Sequence, residues 1–267
     1  MANRLSRHRN LTPVVEISAS QPASIGASAR TSEGPVIERS SDPSIPPRTV
    51  VDGVETVEGA KLQLRFDQNR CIHARFCVLG APEVFLGNVS GPWIKPDAVD
   101  VEDLVAIAHR CPSGAITYTR KDGRSDERAP SVNTIVVREN GPYAFHGELR
   151  IQNDGPRFRA TLCRCGASQK KPFCDGSHTE AAFEATGEPP TSNITALDAR
   201  AGVVDVRPHV DGPLVVEGNL ELLSGTGRTF AKLTRVKLCR CGQSNTKPYC
   251  DGSHRAAGFS TASPSEL

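Results

Sequence analysis

Two stretches decide how this chain is read: Cys163-Arg-Cys165-Gly-Ala-Ser168-Gln-Lys-Lys-Pro172-Phe-Cys174-Asp175-Gly176-Ser177-His178 and Cys239-Arg-Cys241-Gly-Gln-Ser244-Asn-Thr-Lys-Pro248-Tyr-Cys250-Asp251-Gly252-Ser253-His254. Each offers three thiolates and one imidazole from a single short loop, at identical spacings. The Asp-Gly between the last cysteine and the histidine is a tight-turn signal that can swing the imidazole back toward the sulfur, and Pro172 and Pro248 stiffen the approach. Three Cys and one His suit either a structural zinc ion or an iron–sulfur cluster with mixed ligation. The spacing leans toward the cluster. Zinc sites favour C-x2-4-C pairs, whereas Cys-x-Cys crowds two thiolates onto one iron of a 2Fe-2S core and leaves the distal Cys and His to the other. His8, His109, His146 and His209 have no such placement and read as surface or core histidines.

Working outward, the flanks of the two stretches also repeat. Asn140-Gly-Pro-Tyr-Ala-Phe-His-Gly-Glu-Leu149 corresponds to Asp211-Gly-Pro-Leu-Val-Val-Glu-Gly-Asn-Leu220, an offset of 71 that grows to 76 at the cysteines. The extra residues fall near Ser224-Gly-Thr-Gly-Arg228, where a hairpin loop absorbs them cheaply. Leu214–Leu222 and Thr229–Leu238 read as strands, so the repeats are β-rich, with Gly187-Glu-Pro-Pro190 in the connection between them.

The pattern C-x-C-x2-S-x3-P-x-C-D-G-S-H, present twice without a departure, resembles the CDGSH iron–sulfur family, the mitoNEET-like proteins. The resemblance implies one 2Fe-2S cluster on Cys163, Cys165, Cys174 and His178 and a second on Cys239, Cys241, Cys250 and His254. It also implies an intrachain pseudo-twofold pair in a monomer, since single-motif members of the family are homodimers. An imidazole in place of a thiolate removes one negative charge, so the potential rises relative to an all-Cys site. It must be deprotonated to bind iron, so acid competes with the metal for His178 and His254.

A third set, Cys71-Ile-His-Ala74-Arg-Phe-Cys77 followed by Cys111-Pro112-Ser-Gly-Ala-Ile, resembles a divergent mono-cluster ferredoxin domain. It also resembles a single-cluster bacterial ferredoxin, and ferredoxins carry C-x2-C-x2-C and a distant Cys before Pro. Here Ala74 stands where the middle cysteine would be. Three thiolates match a 3Fe-4S cluster; a 4Fe-4S cluster would need His73, water or a partner group on its fourth iron. His73 reads as a structural or surface histidine, and Trp93 as ordinary core. Cys71 and Cys77 read as lying in one loop, and around the cysteines Lys61-Leu-Gln-Leu-Arg-Phe and Ile116-Thr-Tyr-Thr-Arg120 alternate as strands do. Between them a helix is marked by Asp100 as cap, Glu102 and Asp103 in the first turn, a stripe of Val101, Leu104, Val105 and Ala108, and Pro112 beyond the end.

The nine cysteines thus divide into three groups of three with none left over. No export signal is visible and the cytosol keeps thiols reduced, so metal binding explains them better than disulfides. The 267 residues allow two or three small domains, and 32 Lys+Arg against 30 Asp+Glu give a net charge of +2, far from the basic excess of a nucleic-acid-binding domain. No apolar run is long enough to span a membrane. No P-loop, dinucleotide fingerprint or nucleophile elbow points to an enzyme.

The resulting expectation is an α+β chain. Residues 1–57 form a disordered tail containing Ser40–Pro47, 58–120 a ferredoxin-like domain, 121–131 a linker, 132–187 and 209–262 the two CDGSH repeats, and 188–208 the linker between them. The expected place is the cytoplasm; Arg4, Arg7 and Arg9 before the first acidic residue, Glu16, would instead suit a presequence for the mitochondrial matrix. The expected role is electron transfer with redox partner proteins. The alternatives are a redox- or pH-responsive module that hands clusters to apo iron–sulfur acceptors, and a zinc-structured interaction protein.

Overall fold

The computed structural model describes residues 36–38, 46–152 and 154–261. Eleven strands and two helices make the described part mostly β, arranged as two sheets.

The first sheet is an antiparallel run of β1 (Val36–Glu38), β2 (Arg48–Val51), β3 (Val54–Glu58), β4 (Leu62–Asp67) and β5 (Ile116–Arg120), in that order. Between β4 and β5 the chain leaves the sheet to form α1 (Phe76–Gly80), a 3-10 turn at Pro96–Ala98 and α2 (Val101–His109). Burial on β4 alternates as its sequence does, with Leu62 and Leu64 inward, and these join Phe85, Ile94, Leu104 and Ile116 in one core. Asp100 stands at the N-cap of α2, but its carboxylate makes no capping hydrogen bond.

Three expectations are corrected here. The tail assigned to 1–57 contains β1, β2 and most of β3. The missed signal was Asp52-Gly53, whose φ of 48° and 77° make the tight hairpin turn joining β2 to β3. Residues 1–35 and 39–45, with the arginine-rich start, lie outside the described residues. Cys77, expected in a loop, sits on the short α1. The linker assigned to 188–208 ends in β9 (Val203–Pro208), so the second copy begins at Val203.

The second sheet is built from β6 (Thr134–Val137), β7 (Tyr143–Ile151), β8 (Arg157–Leu162), β9, β10 (Leu214–Leu223) and β11 (Thr229–Leu238). The register shows how the two copies interleave. Ile135 of β6 pairs antiparallel with Phe145 of its own copy and parallel with Leu222 of the other. Val206 of β9 pairs antiparallel with Val216 of its own copy and parallel with Ile151 of the other. Each of these numbers differs from its counterpart by the same 71 read from the sequence. One apolar core runs through both copies, from Ile135, Phe145 and Leu162 to Val206, Leu222 and Leu238.

No helix among the described residues is long and apolar enough to cross a membrane.

Candidate metal centres

The two cysteine loops grow from the ends of β8 and β11. The Cys163 amide donates to the Pro172 carbonyl at 2.8 Å and that of Cys174 to Thr161 at 2.9 Å, which folds the loop back along its strand. The second loop repeats this, Cys239 to Pro248 at 2.9 Å and Cys250 to Lys237 at 2.9 Å. The non-cysteine residues of the motif are the braces. Ser168 Oγ donates to the Phe173 carbonyl at 2.6 Å and Ser244 Oγ to that of Tyr249 at 2.7 Å. Asp175 accepts from the amides of Gln169 at 2.8 Å and Ser177 at 3.0 Å, and Asp251 does the same with Asn245 and Ser253 at 2.8 and 2.9 Å. Burial works to raise the Asp175 pKa, but its hydrogen bonds outweigh this and leave the carboxyl below its ordinary value.

These braces set the donors in pairs. Cys163 and Cys165 lie 3.7 Å apart, sulfur to sulfur, as do Cys239 and Cys241. Cys174 Sγ is 3.4 Å from His178 Nδ1, and Cys250 Sγ is 3.5 Å from His254 Nδ1. Two thiolates on one tetrahedral metal at about 2.3 Å stand about 3.8 Å apart, so each pair matches the donors of one metal. Among the described residues no group of three His, Cys, Asp or Glu side chains is placed to hold a single ion. Each loop offers two such pairs, three thiolates and one imidazole in all, a donor set that fits an iron–sulfur group with mixed ligation.

Cys165, Cys174 and Cys241 are costly to ionise as free thiols. Burial pushes Cys174 and Cys241 up to about 11, and burial also lowers the His178 pKa toward a neutral ring. Cys163 is held down to about 6, chiefly by the hydrogen bond with Cys165, and that contact raises Cys165 in turn. A bound metal offsets the cost by replacing the protons.

The two loops meet back to back. Gly166 and Gly242 have φ of 87° and 78°, and a Cβ on Gly166 would lie 2.6 Å from the Cys241 carbonyl oxygen, one on Gly242 2.5 Å from that of Cys165. Only glycine permits that approach. Tyr143, fully buried, shares its hydroxyl proton between the carbonyls of Cys239 and Pro248 in the other copy, 2.9 Å from each. The equivalent residue, Leu214, has no proton to donate. The sequence reading missed Arg164 and Arg240, the residues inside each Cys-x-Cys, which are buried at 1% and 3% exposure. Arg164 donates to the carbonyls of Ala185 and Thr186 beneath Phe183, and Arg240 to those of His209 and Gly212 beneath Phe259.

Cys71, Cys77 and Cys111 line one cavity of about 280 Å³ in the first module, with Ala74, His73 and Trp93 also on its wall. Burial raises the pKa of Cys71 and Cys77. Trp93, read as plain core, lines this cavity while its ring N–H donates to Glu55 at 2.9 Å. Arg159, on β8, joins this module to the first repeat. Its guanidinium donates to the carbonyls of Ala108, Cys111 and Ile116 and pairs with Glu127 at 2.6 Å. A second cavity, about 220 Å³, is lined by both Ser113 and Cys174.

Paired thiolate and imidazole donors in duplicate, beside a three-cysteine cavity, define an iron–sulfur-binding protein. The profile described as iron-binding zinc finger CDGSH type matches residues 140–179 and 211–255, and that of a divergent 4Fe-4S mono-cluster matches 57–121. The chain belongs to the CDGSH iron–sulfur family, as a tandem member with an N-terminal divergent mono-cluster module. It is 39% identical to the uncharacterized protein YjdI of Escherichia coli K12 over 70 residues, covering 26% of this chain and 90% of that one. It is 29% identical to CDGSH iron-sulfur domain-containing protein 1 of Mus musculus over 83 residues, covering 30% of this chain and 74% of the relative.

Proposed function

We propose that this protein is a monomeric three-cluster electron carrier of the cytoplasm, not itself an enzyme, that exchanges single electrons with redox partner proteins and binds neither nucleic acid nor membrane. Cys163, Cys165, Cys174 and His178 hold one 2Fe-2S cluster, and Cys239, Cys241, Cys250 and His254 the other, in an intrachain pseudo-twofold pair. Cys71, Cys77 and Cys111 hold a 3Fe-4S cluster in a ferredoxin-like module. The clusters supply reversible one-electron chemistry; the chain positions them and excludes water. What carries the reading is adjacency. The Cys111 turn reaches the cavity that Cys174 lines, and the backbones of Cys165 and Cys241 each press on the glycine beside the other. Three redox groups held in series suit a relay better than three separate structural metals.

Purified protein should contain iron and acid-labile sulfide for three clusters, with a paramagnetic three-iron signal when oxidised. Ala74→Cys restores the missing thiolate and should convert that signal to a four-iron one. Zinc with negligible sulfide would remove the whole reading. A second reading, storage or transfer of clusters to apo iron–sulfur acceptors, draws support from His178 and His254, which are only partly buried and so open to displacement. Reduced protein mixed with an oxidised ferredoxin should pass electrons faster than oxidised protein passes a cluster to apo-ferredoxin; the reverse order favours transfer.

A further inference from the structure

We infer that His73 is a protein ligand for a fourth iron at the first site, so that the three-cysteine cavity takes up and releases one ferrous ion. The inference rests on the cluster reading above and extends it to a residue that the cysteine spacing leaves out.

The wall of the 280 Å³ cavity is largely apolar, and beyond the three thiols its polar side chains are few. Arg75 lines it but cannot shed its proton to become a donor. Ser113 Oγ lies 3.6 Å from Cys111 Sγ and accepts from the Ala115 amide at 3.3 Å, so it is committed to the Cys111 turn. The Trp93 ring N–H is spent on Glu55. His73 remains, an ordinary iron donor in its neutral form, next to the Ala74 that leaves a coordination position open.

The backbone is bent to put it there. His73 and Arg75 have φ of 53° and 64°, left-handed values that non-glycine residues rarely adopt, with Ala74 between them. The His73 amide donates to Cys71 Sγ at 3.4 Å, which ties this turn to the thiol, while His73 itself stands exposed at the rim of the cavity it lines. Strain of this kind persists where the surroundings impose it, and here two such residues flank Ala74, the position of the missing thiolate. The other histidine of this module, His109, is engaged 2.8 Å from the Tyr118 hydroxyl.

The balance is simple. The oxidised three-iron cluster gains one electron from an external one-electron reductant, then binds one Fe2+; no sulfide is gained or lost, and the neutral imidazole gives a lone pair to the new Fe–N bond.

The test uses the full chain under anaerobic conditions, with dithionite as reductant and ferrous ion titrated against a chelator, and follows the three-iron paramagnetic signal after reoxidation. His73→Asn is the removing variant, because asparagine tolerates the left-handed backbone. His73→Cys is the rescue. We expect the parent to lose the signal on iron uptake. The Asn variant should keep it when oxidised and hold the fourth iron about tenfold or more weaker. The Cys variant should hold it again. Equal iron affinity in the parent and His73→Asn overturns the inference. A parent that carries four irons as purified, with His73→Asn reverting to three, upholds His73 and overturns the resting three-iron form. No iron–sulfur signal from this site in any variant overturns both.

Discussion

Replacing Gly242 by alanine should cost about 3–5 kcal/mol of stability, read as a lower denaturant midpoint, and should remove the visible absorption of both CDGSH clusters together. The added methyl would sit 2.5 Å from the Cys165 carbonyl oxygen, on a backbone with φ of 78°. The obstacle is backbone, so no side-chain rotation relieves it, and the loops must separate. Gly166→Ala meets the Cys241 carbonyl at 2.6 Å and should behave alike. Gly176 has a similar φ of 94° but open space around a built Cβ, so Gly176→Ala should cost only the backbone strain, about 1–2 kcal/mol. Equal midpoints for Gly242→Ala and Gly176→Ala would show that the loops do not depend on this approach.

Arg159→Gln should destabilise by about 3–5 kcal/mol and perturb the first site's paramagnetic signal while leaving CDGSH absorption in place. The side chain is 3% exposed, and its loss strips donors from the carbonyls of Ala108, Cys111 and Ile116. It also leaves Glu127, 11% exposed, as a charge without its partner. The second copy supplies the control. Arg235 stands at the equivalent place, 76 residues on, but is 66% exposed and pairs with Glu217 in solvent. Arg235→Gln should fall within about 1 kcal/mol of the parent. Arg159→Lys keeps the charge but loses the fork, so it should recover only part of the stability. If Arg159 and Arg235 give the same small change, the contact between the first module and the first repeat does not depend on this residue.

What the sequence made legible was local. The strands at Leu62–Asp67, Ile116–Arg120 and Thr229–Leu238 and the helix at Val101–His109 follow from alternation, a helical stripe and a proline stop. The donor loops followed from spacing, because Cys-x-Cys and Cys-x3-His constrain geometry within a single turn. The less legible features depend on residues far apart in the chain. Val203–Pro208 has a proline at its end and one clear alternation, and it becomes a strand because two long strands, one from each copy, offer it hydrogen bonds. Tyr143 and Arg159 look like an ordinary core aromatic and a strand arginine until the other copy and the first module are brought against them. Arg164 and Arg240 sat in plain view inside the motif, yet an arginine between two cysteines gives no local hint that it is buried.

The interleaving of β6 and β9 bears on how this assembly behaves at low abundance. Each of these strands hydrogen-bonds to the long strands of both copies, so in two separate chains the same exchange would depend on how often they met. Joined through the connector around 188–202, each copy sees the other at a fixed effective concentration set by the length of the link. Dilution then has no purchase on these strand pairings, because both partners in each belong to the same chain.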